Sequence, residues 1–597
     1  MFSLSLSLIA GFFLPGYFIV KFLRAEEEIA SSFVVSCVIL FNIIFYLGIL
    51  RCQLTFTSII ITLFVVNVIL FFFAWKRVRR DIFNINFKIF WDKSNFIYYI
   101  PFFSLFILLL LKAFLQPYGY APGDQLFRWD FLAYKIFEEK NFSFYPPVKA
   151  EDFYHYLYPD GLPPMVSFLY FWLYESFGSY ITSLTGILVV TQFVTLSLLC
   201  YAIFKRNYGS LSPFFLFAVI SSSSLLFYSI HIGQESCFIG ISLTGVILYL
   251  FYSEKKNSSE NAILAGFFAA LGALSREYGY IIFITSILLL VGRRNIWYII
   301  IFLLSALIFS LPWYVRNLYV AGNPFYSNDF FALFNVNKVH IEIFNVYKEH
   351  LSLFKNLQSI VDALLTLLAI SFVPLVFGIA GIFLAFRRYM LILLFLISFI
   401  GLWIYSVALT PGGILHSLRV LAPLIPILSI SSCEIFNKIR KKNILLLFIF
   451  FMDFLSLLQS FTIPVNIFRA PKKYFWDFSF GQHIFYSEEE LAKYAKLIDK
   501  NTVILTDEAI FHSQVSRHPE YNMKTASIWS PEFEFLFNKR LTAKECLKRL
   551  KEKNIHYLCI NKTSLNFIYF KQYPFFSYIE GGVFPNLTGN LYKITDN

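Results

Sequence analysis

Long apolar runs separated by short polar stretches fill residues 1–462 of the chain. Most runs approach the roughly 20 apolar residues that a helix needs to cross a bilayer. A bilayer offers the backbone no hydrogen-bond partners, so each run is predicted to be helical. The predicted membrane segments, about 13–14 in number, are residues 3–20, 31–50, 55–74, 98–115, 182–204, 211–230, 237–252, 262–274, 279–292, 295–311, 359–385, 390–408, 415–433 and 444–462.

Polar loops between these segments alternate in charge, and every second loop is basic. The basic loops carry Lys21 and Arg24; Lys76, Arg77, Arg79 and Arg80; Lys205 and Arg206; Lys255 and Lys256; Arg293 and Arg294; Arg387 and Arg388; and Lys438, Arg440, Lys441 and Lys442. Basic loops face the cytoplasm in membrane proteins. The sequence therefore predicts a multi-pass protein of a cell inner membrane or an equivalent membrane, with both termini extracytoplasmic.

The remaining loops then face outward, and the largest covers residues 116–181. Its apolar stretch Pro163–Phe177 is too short to span the bilayer and would break the alternation of charge. We therefore expect a helix lying on the outer face or dipping into it. The other predicted outer segments are residues 231–236, 275–278, 312–358, 409–414 and 463–597.

The pattern changes after residue 462, where short apolar runs alternate with polar ones. Thr502–Leu505, Tyr557–Ile560 and Tyr592–Ile594 are typical of strands. Ser487–Asp499 and Thr542–Lys553 are typical of helices, each beginning with a capping box. We predict a multi-span membrane domain over residues 1–462, with its large outer loop at residues 116–181, and a small extracytoplasmic α/β domain over residues 463–597.

Composition agrees with a membrane protein and argues against nucleic-acid binding. The chain is 58% hydrophobic, well above the roughly 45–50% of soluble domains. Its net charge is +13, of which residues 463–597 contribute only +4. Much of the remainder lies in short loops, where it sets topology rather than forming a basic patch for nucleic acid.

Neither a metal motif nor a nucleotide-binding motif is recognisable. The seven cysteines have no metal or disulfide spacing, and Walker A, GxGxxG, HExxH and CxxC patterns are missing from the sequence. We assign no cofactor and leave a divalent metal open. A donor that needs no nucleotide pocket would suit this sequence.

Three outer-loop acids are candidate site residues: Asp124 and Asp130 for catalysis and Asp160 for substrate binding. A partly desolvated carboxylate at the membrane surface is suited to take a proton from an incoming hydroxyl group. Trp129 and Tyr158 would stack on a sugar ring or anchor the loop at the interface. The alternative is that the acids are solvated or paired with Arg128 and Lys135.

Further polar residues occur in the later outer loops. Glu235 follows His231 in one loop, and an acid between two spans is costly to keep without a use. Arg276, Arg316 and Arg419 interrupt loops that should be poor in arginine, and a guanidinium matches phosphate oxygens. His416 lies beside Arg419 and is a candidate for substrate binding. The alternative for the three arginines is that they form ion pairs with nearby acids or extend to lipid head groups.

The order of these motifs resembles a known family. Trp129-Asp130, YPDGLPP at Tyr158–Pro164, LSREYG around Arg276, PWYVRN…GNPFY at Pro312–Tyr326 and HSLRVLAP around Arg419 follow one another from about residue 117 onward. This resembles the GT-C superfamily of polyprenyl-phosphate-sugar-dependent glycosyltransferases, in particular relatives of protein mannosyltransferases and the lipid A aminoarabinose transferase. The chain departs from that pattern in its three additional early segments, in Asp160 and in Arg276.

The resemblance implies an inverting transfer. Asp130 or Asp124 would act as general base on an acceptor hydroxyl, and Arg316, Arg419 and Arg276 would hold the donor phosphate. The implied partners are a polyprenyl-phosphate sugar donor, membrane lipids and a glycan, lipid or protein acceptor. Three alternatives remain open: a transporter or flippase of a lipid-linked glycan, a glycan polymerase or ligase, and a non-enzymatic scaffold.

Overall fold

The apolar runs of the membrane domain form helices in the computed structural model. It describes residues 2–82, 96–115, 125–204, 211–223, 225–226, 229, 235–253, 258–291, 295–326, 333–351, 357–409, 418–462, 488–499 and 502–595. The helices up to residue 462 are α1 (Phe2–Phe12), α2 (Leu14–Leu23), α3 (Ile29–Ile49), α4 (Phe56–Ile82), α5 (Phe96–Leu115), α6 (Asp130–Glu139), α7 (Ala150–His155), α8 (Met165–Phe177), α9 (Gly186–Phe204), α10 (Ser212–Ser221), α11 (Glu235–Ile247), α12 (Ser259–Ser275), α13 (Tyr280–Leu290), α14 (Ile296–Ala321), α15 (Lys338–Leu351), α16 (Leu357–Ile370), α17 (Phe372–Leu384), α18 (Phe386–Leu409), α19 (Leu424–Lys438) and α20 (Lys442–Thr462).

Within the described ranges, seven helical stretches are long and apolar enough to cross a membrane. They are Leu4–Leu23, Ile29–Ile49, Phe56–Arg79, Thr182–Ile203, Glu235–Tyr252, Ile296–Ala321 and Phe386–Tyr405. Four shorter apolar helices are Ile97–Leu111, Ser259–Ser275, Glu277–Leu290 and Phe372–Leu384. The predicted helices are confirmed, and seven of the described helical stretches have the length and composition of membrane spans. Membrane insertion, the predicted total of spans and their direction stay predictions.

Two details differ from the sequence prediction. The single segment predicted over residues 359–385 is broken into α16 and α17 at Ser371, because Pro374 cannot donate to the carbonyl of Ile370 and its ring clashes with that carbonyl. Helix α8 exists as predicted, but every residue from Met165 to Ser176 is buried. It packs against α6, α1 and α3, so the protein covers it on several sides, while its position relative to the outer face of a membrane stays a prediction.

The C-terminal domain is a five-stranded sheet with helices, which confirms a small α/β unit. Its strands are β1 (Val503–Thr506), β2 (Lys524–Ser527), β3 (Ile555–Cys559), β4 (Asn586–Thr588) and β5 (Leu591–Lys593), and its helices are α21 (Glu488–Leu497), α22 (Ala509–Arg517), α23 (Ala543–Glu552), α24 (Leu565–Phe570) and α25 (Pro574–Glu580). The strand order is β2-β1-β3-β5-β4. Strand β1 pairs in parallel with β2 and β3, and β5 pairs antiparallel with β3 and β4. The Thr542–Glu545 capping box forms as predicted.

A cysteine label tests the predicted orientation. Cys52 lies between α3 and α4 in a loop that the alternation of charge places outside, and it is the one exposed cysteine of the seven, all of which the structure describes. In intact cells, a membrane-impermeant maleimide is expected to label the chain at Cys52, and Cys52→Ser should abolish the label. Labelling that requires permeabilised cells would invert the predicted topology.

Candidate functional site

A buried ion pair lies at the centre of the large loop. Arg128 sits in a π-helical turn, Gln125–Trp129, and its Nε donates to Asp160 Oδ2 at 2.5 Å. The two side chains are 9% and 3% exposed, so the pair is removed from water. Tyr145 and Tyr156 also donate to Asp160, at 2.9 and 3.2 Å. Burial, followed by the charge of Asp160, raises the pKa of both phenols, so both stay protonated donors.

Asp130 occupies a second buried cluster, at the first position of α6. Its carboxylate is fully buried and accepts hydrogen bonds from Tyr174, from Tyr180 at 2.7 Å and from Arg517 of the C-terminal domain at 2.9 Å. These three donors fix the position of the carboxylate. The predicted role of Asp130 as general base stays a prediction, and the geometry shows a carboxylate whose oxygens are already engaged.

The two aromatic candidates support Arg128. The guanidinium lies 5.7 Å from the ring of Trp129 and 5.2 Å from that of Tyr158, within cation–π range. Trp129 is completely buried, while Tyr158 is partly exposed and packs edge-on against His340. Burial, and then the charge of Arg128, lowers the pKa of His340 to about 3, so this ring is neutral. Sugar stacking on Trp129 or Tyr158 stays a prediction.

Three predicted residues converge near the start of α11. Glu235, only 2% exposed, places Oε1 at 3.2 Å from Nη1 of Arg276 and 3.8 Å from Nη1 of Arg419. Arg276 also lies 3.6 Å from Glu277. Electrostatic interactions reach from Glu277 to Asp160, so this cluster and the Arg128 pair are neighbours. Glu235 Oε2 is buried without a hydrogen-bond partner in the described part of the chain.

Arg316 lies near the C-terminal end of α14 and is held differently. Its Nη2 donates to the carbonyl of Tyr145 at 2.8 Å, and its guanidinium stacks on Phe142 and Trp313 at 5.0 and 5.3 Å. Its Nη1 is buried and, among the described residues, has no hydrogen-bond partner. Arg316 therefore retains an unused donor on a rigidly held side chain.

The two most distinctive motifs meet in space. Asn317 Nδ2 donates to the carbonyl of Gly161 at 3.1 Å, which joins PWYVRN to YPDGLPP. A Cβ on Gly161 would come within 2.5 Å of Tyr326 Cβ, so glycine is needed for this approach. The motifs that carried the resemblance thus form one region around Arg128, Asp160 and Arg316.

Two predicted residues, Asp124 and His416, lie outside the described residues. Asp124 directly precedes Gln125, the first residue of the π-helical turn. Within the described ranges, no group of three or more His, Cys, Asp or Glu side chains could hold a metal ion. A metal requirement is left open.

The alternative in which a loop acid pairs with Arg128 holds for Asp160, but the other partners were missed. Tyr145 and Tyr156 lie within 15 residues of Asp160 and carried no distinguishing signal. Arg517 is 387 positions from Asp130, and no local pattern connects the two.

Comparisons with known proteins add no identity: no family model matches the chain, and no curated protein matches its sequence.

Proposed function

We propose that this chain is a membrane glycosyltransferase that moves a sugar from a polyprenyl-phosphate donor to an extracytoplasmic acceptor. In the reaction, a carboxylate takes the proton of an acceptor hydroxyl and the oxygen attacks the anomeric carbon. The bond from that carbon to the phosphate oxygen breaks, and the lipid phosphate leaves with the negative charge. The requirements are a base and a cation beside the leaving phosphate.

The unused donor of Arg316 carries the proposal. A buried N–H without a partner costs about 1–3 kcal/mol, and a charged acceptor would satisfy it. A phosphate oxygen is such an acceptor, and charge-assisted bonds from arginine to phosphate are among the stronger hydrogen bonds. Stacking on Phe142 and Trp313 fixes the guanidinium plane before the ligand arrives.

The Glu235 cluster supports binding of the polar sugar or acceptor. Arg276 and Arg419 share one oxygen of Glu235, and the other oxygen is a buried acceptor with no partner among the described side chains. A sugar hydroxyl can donate to that oxygen and accept from a guanidinium. This assigns Glu235, Arg276 and Arg419 to substrate binding.

The surroundings of Asp130 make Asp124 the better candidate for the general base. Asp130 is fully buried and engaged with two tyrosines and Arg517, so it would have to leave these partners to reach a hydroxyl. Asp124 lies just before the segment that carries Arg128. We therefore assign the base to Asp124 and an anchoring role to Asp130.

A transfer assay tests the function and the base together. Purified protein in lipid receives radiolabelled polyprenyl-phosphate sugars and a membrane extract of acceptors, with Asp124→Asn and Asp130→Asn beside the wild type. The expected result is transfer by the wild type and a loss of about 10²–10⁴-fold with Asp124→Asn at unchanged Tm. Asp130→Asn should lower both Tm and activity.

The opposite outcomes are informative. A loss of activity with Asp130→Asn at unchanged Tm, with Asp124→Asn active, would return the base to Asp130. No transfer with any donor by well-folded wild type would refute the glycosyltransferase.

One observation favours a second function, transport of a lipid-linked glycan. Asp453 lies in the middle of α20, is 1% exposed, and has no hydrogen-bond partner for either oxygen among the described residues. An ionisable residue at this depth often marks a transport pathway. Donor movement across sealed vesicles, lost with Asp453→Asn and without any transfer, would select the transporter.

A further inference from the structure

The C-terminal domain contacts the large loop through a series of polar bonds. Arg517 Nη2 donates to the carbonyl of Leu126 at 2.8 Å and to Asp130 at 2.9 Å. Tyr154 of α7 donates to Glu532 at 2.8 Å. The contacts come from separate parts of the domain and hold it to the loop in a defined orientation. Ser527 Oγ also donates to the carbonyl of Leu157 at 2.8 Å, and outside the large loop Asn337 Nδ2 donates to the carbonyl of Trp529 at 3.1 Å.

Apolar contacts continue the same interface. Leu126 is buried in a cluster with residues of α22, including Phe511 and Val515. Phe153 and Leu157 are buried in the main core of the C-terminal domain. Burial of large apolar side chains is stabilising, so the loop is part of the domain core rather than a loose neighbour.

Arg517 is the charged centre of this interface. Its side chain is 8% exposed, and its guanidinium lies 5.3 Å from the ring of Phe131 and 5.8 Å from that of Tyr180. A single nitrogen of Arg517 bonds both the π-helical turn, at Leu126, and the first residue of α6, Asp130. π-helical turns are rare and occur frequently at functional sites. The bond from Arg517 to the carbonyl of Leu126 ties this turn to the C-terminal domain.

We infer that Arg517 is a positioning residue for the reaction. It holds residues 125–139 in place, and through them Arg128. The C-terminal domain is then a fixed part of the site and not a separate binding module. The kinetic part of this inference rests on the proposed glycosyltransferase function, whereas the docking part does not.

A cross-linking experiment on the full chain measures docking. Tyr154→Cys and Glu532→Cys are combined with Cys52→Ser, because the other six native cysteines are buried. With the full chain in its membrane, a flexible bismaleimide should then join positions 154 and 532. Adding Arg517→Ala should lower the cross-linked fraction of folded protein, and Arg517→Lys should restore part of it. Arg549→Ala, an exposed arginine of α23, is the matched control and should change nothing.

The transfer assay then separates positioning from general stability. Arg517→Ala, with native residues at positions 154 and 532, should lower kcat by about 10- to 100-fold with KM nearly unchanged, because residues 125–139, which carry Arg128, are displaced while Arg316 still binds the donor phosphate. Asp130→Asn should have an effect of similar size, and the double variant should be no worse than either single variant. Arg517→Lys should recover part of kcat.

Two outcomes would overturn the inference. One is an unchanged cross-linked fraction with unchanged kcat in Arg517→Ala. The other is full additivity of Arg517→Ala and Asp130→Asn. If no variant, including the wild type, transfers sugar, the proposed function fails, and the cross-linking result still decides whether Arg517 docks the domain.

Discussion

Arg316→Ala is expected to lower kcat/KM for sugar transfer by about 10²–10³-fold, the range measured when a preorganised donor to a developing negative charge is removed. The side chain is held by Tyr145, Phe142 and Trp313, so its position is set before the donor binds. The lipid phosphate gains charge as the glycosidic bond breaks. The loss should therefore appear in kcat as well as in KM.

The controls for this result use lysine and a distant arginine. Arg316→Lys keeps the charge but loses the fork and the stacked plane, so it should recover only part of the activity. Arg440→Ala removes an exposed arginine in a predicted cytoplasmic loop and should leave kcat/KM unchanged. Transfer by Arg316→Ala at the wild-type rate would place the phosphate elsewhere, with the Arg276 and Arg419 pair as the next candidate.

Arg128→Ala is expected to cause the largest loss of stability, about 3–5 kcal/mol, because it leaves the buried Asp160 without its cation. The pair is 2.5 Å apart, and both side chains are almost fully buried. Thermal unfolding of the purified protein in detergent, followed by a fluorescent size-exclusion signal, should show a markedly lower Tm.

A double variant distinguishes a charge effect from lost packing. Arg128→Met with Asp160→Asn removes both charges while keeping volume and an acceptor for the tyrosines, so much of the Tm should return. Lys571→Ala breaks a pair that is 46% and 55% exposed and should shift Tm very little. A Tm as low in the double variant as in Arg128→Ala would show that the guanidinium packing on Trp129 and Tyr158 matters more than the charge.

The sequence predicts what is local and periodic. The apolar runs become helices, and β1, β3, β5, α21 and α23 appear close to their predicted bounds. Strand β2, Lys524–Ser527, was not predicted. Its sequence, KTAS, has no alternation of apolar and polar residues, and its single β-branched residue is Thr525. It forms by pairing with β1, which is a tertiary effect.

The candidate residues could be selected from the sequence, but most of their pairings could not. Arginines and acids of the predicted outer loops were selected by residue type and location, and in the structure Glu235 lies beside Arg276 and Arg419. The partner of Asp130 was not predictable, because Arg517 reaches it only after a separate domain has folded and docked. Long-range ion pairs form only in the folded and docked structure, so no spacing in the sequence predicts them.

The docked C-terminal domain also sets an order of events during synthesis. Leu126, Phe153 and Leu157 emerge long before α22 and the strands that bury them. At about 5–20 residues per second, the interval between residue 157 and residue 488 lasts roughly 20–60 s. During that time these side chains lack their final cover, and a nascent chain interrupted before residue 488 would present them to quality-control proteases at the membrane surface.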